Sequence, residues 1–165
     1  MKTLIAILSR TAGALAIVAI ALGGPAGADG SNYQPVKDVT LLKECGACHM
    51  TYLPGLLPAR SWTAIMAGLK DHFGDNAELD AETARRITDY LTANAADSRG
   101  ARSEALRGLQ QSSAPLRITE LPWWLQKHEK KGRVAPATMK RRGAKLKSDC
   151  VACHQDAASG SYDDD

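Results

Sequence analysis

Cys45-Gly46-Ala47-Cys48-His49 and Cys150-Val151-Ala152-Cys153-His154 repeat one five-residue pattern, and between them they hold all four cysteines of the 165-residue chain. C-x-x-C-H is the attachment signature of a c-type haem. Two cysteines three apart can form thioethers with the two vinyl groups of one porphyrin, and the histidine that follows can reach the iron from one face. Residues at i, i+3 and i+4 share one side of a helical turn, so Cys45, Cys48 and His49 can address one macrocycle together, as can Cys150, Cys153 and His154. Two copies predict two covalently attached haem c groups. The competing chemistries of C-x-x-C are a zinc site, a disulfide within each unit and a redox thiol pair. None of these requires a histidine after both second cysteines.

A haem iron has two axial positions, and each motif fills one, through His49 or His154. The chain holds four histidines, so two remain, His72 and His128. Each falls at the inward edge of a predicted amphipathic helix, and the arithmetic points to bis-histidine ligation at both irons. Methionine is the rival ligand. Met50 adjoins a proximal histidine, Met66 lies on an apolar helical stripe that suits core packing, and Met139 sits in a basic stretch. Paired imidazoles leave a lower reduction potential than histidine with methionine, and they leave no open position for a substrate. Electron transfer is therefore the expected function. A small peroxidase-like or ligand-binding haem enzyme is the alternative, but it needs a displaceable ligand and nearby acid or base groups, and no further histidine is available. The residues alone do not fix which histidine meets which iron. Pairing His72 with the first haem and His128 with the second closes each pair within its own half of the chain.

Helices must deliver these ligands. Pro35 to Met50 reads as a short helix with Val36, Val39, Leu42 and Cys45 at helical spacing. Two prolines and a glycine make Tyr52 to Pro58 a loop with apolar contacts. Ser61 is the expected N-cap of a second helix carrying Trp62, Ile65, Met66, Leu69, His72 and Phe73 on one arc and ending at Gly74. Asp80 caps a third, with Ala84, Ile87, Leu91 and Ala95 along one face. Residues 101–117 read as a connector. Pro122 opens a helix over Trp123 to Lys131, on which Leu121, Trp124 and Leu125 share the face of His128. Arg133 to Lys147 reads as basic and irregular.

Residues 1–28 read as a cleaved signal peptide: Lys2 and Arg10 precede or flank an apolar stretch from Ala14 to Leu22, and Ala26-Gly27-Ala28 forms a small-x-small cleavage site. The mature chain then starts at Asp29 and lies in the periplasm, where thiols meet oxidising conditions. No later segment has the run of about 20 apolar residues that a membrane helix requires. The chain divides into an N-terminal haem lobe over 29–100, the connector, and a C-terminal haem lobe over 118–165. One phenylalanine is a thin core for two lobes; a buried porphyrin supplies the missing apolar area, with a gross contribution on the order of 10 kcal/mol. Residues 29–99 hold 7 basic and 10 acidic groups, and residues 100–165 hold 12 and 8. The basic excess, from Lys127 to Lys147, is a solvated surface or a docking patch for an acidic redox partner, and nucleic acid is excluded by the exported haem context.

The run Glu44 to Met50, with Tyr52, Leu56-Leu57-Pro58, Ser61-Trp62, Met66 to Leu69 and Asp71 to Gly74, resembles the bacterial dihaem cytochrome c family. Arg117-Ile118-Thr119 through His128, and the terminal Cys150 to His154, are similar to it as well. The resemblance implies a mainly α protein of two small haem lobes, the first similar to class I cytochromes c and the second less regular. It also implies bis-histidine ligation and a carrier role, with an oxygen-binding monohaem cytochrome c as acceptor in some members and a membrane cytochrome b as donor. The Asp163-Asp164-Asp165 ending matches nothing in the family pattern.

Overall fold

The structure is a computed structural model that describes residues 33–98 and 103–162; the predicted signal peptide and the acidic ending lie outside the described residues. Five α-helices, α1 (Val39–Gly46), α2 (Ala59–Ala67), α3 (Ala81–Ala93), α4 (Pro122–His128) and α5 (Pro136–Arg142), are joined by 3-10 turns, with no strand among the described residues. The expected mainly α class is the one found. No helix among them is long and apolar enough to cross a membrane.

The first helix is shorter than its sequence suggests. Asp38 caps it, accepting hydrogen bonds from the Thr40 and Leu41 amides at 2.9 Å each, so the chain from Pro35 to Lys37 stays outside. Its inward residue is Leu41, at 1% exposure, whereas Val39 is 72% and Leu42 43% exposed. Of the expected stripe, Val36 and Cys45 pack against the core while Val39 and Leu42 face outward, and Leu41, four residues before Cys45, takes the inward position. Arg86 of α3 pairs with the same Asp38 carboxylate at 3.0 Å and ties α1 to α3.

The loop after the first motif makes the apolar contacts expected of it, with Leu53, Pro54, Leu56 and Leu57 buried around a 3-10 turn. Helix α2 begins two residues before the predicted Ser61 cap and ends at Ala67, so His72 and Phe73 stand on a turn beyond it. Asp80 caps α3 as expected, and Ile87, Leu91 and Ala95 face inward. Leu41, Leu57, Trp62, Ile87 and Leu91 from the first half join Leu106, Leu121, Trp123 and Trp124 from the second in one continuous core. Ala105 and Leu106, within the predicted connector, are fully buried there.

In the second half, α4 stops at His128, three residues short of its predicted end, and the basic stretch contains a helix where irregular chain was expected. The signals for α5 are present: Pro136 at the first helical position and Gly143 closing it in the left-handed region at φ 72°. Basic density masked them.

Asp38→Ala is expected to lower unfolding free energy by about 1 kcal/mol through loss of the cap, measurable by denaturant titration of the haem-loaded protein. The Leu41 amide, ahead of Arg86, holds the Asp38 carboxyl below its ordinary value. A lowered folded-state pKa means this stabilisation is complete above about pH 4 and disappears as pH falls through the lowered value. The acid sensitivity of wild type should therefore exceed that of Asp38→Ala.

Candidate haem sites

Cys45 lies in the last turn of α1, half-buried, while Cys48 and His49 occupy the turn just past its end. The Nδ1 of His49 lies 2.7 Å from the Met50 carbonyl. That contact requires Nδ1 to donate, which leaves the Nε2 lone pair for a metal, the usual arrangement in which a backbone oxygen orients a ligating imidazole. His72 faces it with ring centres 6.2 Å apart and planes at 23°.

The position of His72 is set by a tight turn. Its amide donates to the Asp75 carbonyl at 2.7 Å, the Asp75 amide donates back at 3.3 Å, and the Asp71 carboxylate accepts from Gly74. Phe73 takes a φ of 59°, which costs of the order of 1 kcal/mol for a side chain of this size. Its ring lies 4.8 Å from that of His72, and the Arg117 guanidinium sits 3.9 Å above it. Burial first, then His49 and Arg117, lowers the His72 pKa and favours the neutral imidazole that a metal binds. A cleft of about 370 Å³ opens beside His72 between Ile65, Phe73 and Leu116.

The second pair is built differently. His128 closes α4, its Nδ1 3.1 Å from the carbonyl of Trp124, and the Trp124 ring stacks on it at 4.5 Å and 11°. Leu121, Trp124 and Leu125 were expected on this face, and Leu121 and Trp124 are buried there. His154 approaches from the C-terminal motif, a single helical turn in which the Cys150 carbonyl accepts from Cys153 at 3.1 Å and His154 at 2.8 Å. The rings of His128 and His154 are 6.1 Å apart with planes at 83°. Burial, followed by Asp149, pushes the Cys150 thiol up to about 11.

Two imidazoles bound on opposite sides of one ion, with metal–nitrogen bonds of about 2.0 Å, place their ring centres about 6 Å apart. Both pairs match that separation. None of the four cysteines is in a disulfide, and no three His, Cys, Asp or Glu side chains converge as a metal cluster among the described residues. The donor set thus suits an ion that supplies its own equatorial ligands.

Buried polar atoms test the fit further. Trp123 Nε1 and the Tyr162 hydroxyl are buried without a hydrogen-bond partner, an arrangement that costs about 1–3 kcal/mol for each. Trp123 lies 6.4 Å from His128, and Tyr162 lies 5.6 Å from His154, ring centre to ring centre. Both donors therefore flank the second pair, where a haem propionate is the kind of acceptor they lack.

A protein-family model described as "Dihaem cytochrome c" matches residues 41–162. The chain belongs to the dihaem cytochrome c family. It is similar to the diheme cytochrome c from Rhodobacter sphaeroides, at 48% identity and a TM-score of 0.70, with 78% of this chain and 98% of that chain covered. The diheme cytochrome c from Shewanella baltica OS155 is also similar, at 35% identity and a TM-score of 0.59, covering 76% of this chain and 86% of that one. A comparison with curated proteins found no match. This dihaem cytochrome is an electron-transfer haem protein that carries two covalently bound haem c groups.

Sequence reasoning missed the tyrosines around the second pair. Tyr33 meets Tyr162 edge-on at 5.6 Å, and the Tyr33 amide donates to the Gly160 carbonyl at 2.9 Å. No local pattern announces a contact between residues so far apart in the sequence. Gly160 is at φ 101°, and a Cβ there would collide with the Tyr33 carbonyl. Gly160→Ala is accordingly expected to destabilise by more than about 1 kcal/mol. Thermal unfolding should show the loss, and a reduced yield of the haem attached through Cys150 and Cys153 should accompany it.

Proposed function

We propose that this dihaem cytochrome is a periplasmic carrier that takes single electrons from a membrane-side donor and passes them to a soluble haem-protein acceptor. In this reading Cys45 and Cys48 anchor the first haem, whose iron is held by His49 and His72. Cys150 and Cys153 anchor the second, with iron held by His128 and His154. The observation that carries the reading is the equal spacing of the two histidine pairs, 6.2 Å and 6.1 Å, which is one iron's width in each. An oxygen-binding monohaem cytochrome c as acceptor and a membrane cytochrome b as donor follow from the family resemblance. Periplasmic export follows from the predicted leader over residues 1–28.

Bound haems would supply a one-electron iron couple; the polypeptide orients the imidazoles. Carbonyl contacts at His49 and His128 keep each Nδ1 as the donor. Such contacts also raise ligand basicity, which favours the ferric state. Were His49 and His72 to hold one iron and His128 and His154 the other, no position would be left there for substrate, and the residues' work would reduce to setting potential and excluding water.

His72→Ala and His128→Ala should each convert one haem from low-spin to a five-coordinate or water-bound form, read in optical and EPR spectra. An unchanged spectrum in either variant would sink its ligand assignment. The ring angles make a finer prediction. Parallel imidazoles split the iron's two π-type d orbitals strongly, whereas perpendicular ones leave them nearly degenerate. Wild type should therefore give two low-spin EPR signals, and His128→Ala should abolish the more anisotropic one.

A further inference from the structure

Tyr52 stands between the two sites. Its ring centre is 4.9 Å from that of His49, with the planes tilted by 30°. Its hydroxyl donates a 2.9 Å hydrogen bond to the carbonyl of Ser148, 96 residues away in sequence. The same carbonyl accepts from the Cys150 amide at 2.9 Å and lies 3.4 Å from the Cys150 sulfur. One side chain thus touches the histidine of the first motif and, through one shared oxygen, the attachment cysteine of the second.

The bridge is held at both ends. Thr51 and Leu53, on either side of Tyr52, are buried, so the backbone that carries the ring cannot swing away. Gly46 leaves room for this: a Cβ there would crowd the Thr51 hydroxyl at 3.3 Å. At the far end, the Asp149 amide donates to Leu146 and fixes the turn that presents Ser148. Packed side chains and hydrogen bonds of this kind form a contiguous physical link between two sites, though coupling itself has to be measured.

We propose that Tyr52 is the positioning residue through which the two haem sites exchange electrons, holding the His49 site and the Cys150 site in fixed contact. The proposal rests on the bis-histidine reading given above. In the exchange, one electron leaves the ferrous iron of one site and reduces the ferric iron of the other. Charge balances between the two irons, and the Tyr52 hydroxyl keeps its proton and its bond to Ser148 throughout. Electrons supplied by an external one-electron reductant at one haem can then leave from the other, so donor and acceptor need not compete for one face.

Tyr52→Phe keeps the ring beside His49 and removes the link to Ser148; Tyr52→Leu removes both. Haem-loaded wild type and variants are given a one-electron reducing pulse, and redistribution between the haems is followed optically. Exchange should slow several-fold in Tyr52→Phe and further in Tyr52→Leu, while pyridine haemochrome and EPR still report two covalent low-spin haems. Wild-type exchange in Tyr52→Phe, with both low-spin signals intact, would overturn the proposal. Should Tyr52→Leu fail to mature, Tyr52→Phe decides alone, because it conserves the buried ring. A high-spin signal in wild type itself would instead overturn the ligation reading, so the two failures are distinct.

Discussion

The fold holds two pairs of imidazoles with ring centres 6.2 Å and 6.1 Å apart, and the proposed ligation of iron depends on that spacing. A metal ligand tolerates little error in distance or direction, so each ring must be fixed by more than its own rotamer. The first pair achieves this with a strained turn: Phe73 occupies the left-handed region so that His72 can face His49. The second uses regular structure, with His128 at the end of α4 clamped between the Trp124 carbonyl and the Trp124 ring. Equal spacings are thus reached by unlike means. That difference explains why the halves of the chain are not repeats of each other despite the repeated motif.

The core follows from the same requirement. Small domains bury little area, and this one spends its large apolar groups along a single seam shared by both halves, from Leu41 and Ile87 to Trp123 and Trp124. Apolar side chains near the motifs, such as Phe73, Leu116 and Val151, remain exposed on the polypeptide. In a protein whose porphyrins are covalently attached, these groups are positioned to meet the cofactor instead of the protein core.

The C-x-x-C-H motifs, the spare histidines and the apolar face of α3 were legible in the sequence because each is a local pattern with a local cause. Asp80 announces α3 by the same rule that Asp38 obeys at α1, but Pro35 offers a competing start three residues earlier, and the inward residue is Leu41 rather than Leu42. Helix α5 lacks an apolar stripe because none of its residues is buried and its last three are basic; only Pro136 and Gly143 mark its ends. His72 was placed on a helix because periodicity continues past Ala67, while the turn that replaces the helix depends on reciprocal bonds with Asp75. Tyr33 and Tyr162 carry no motif, and Tyr52 enters only as part of the family resemblance. Their roles come from contacts across most of the chain, which spacing cannot reveal.

The meeting of Tyr33 with Gly160 bears on how the protein is assembled. This contact joins the first described residues to nearly the last, and contacts of such sequence separation close late because they pay the largest loop entropy. Once closed, Tyr33 and Tyr162 meet edge-on beside His154, with Cys150 half-buried. The second site is therefore completed by a contact that no single segment of the chain can make by itself.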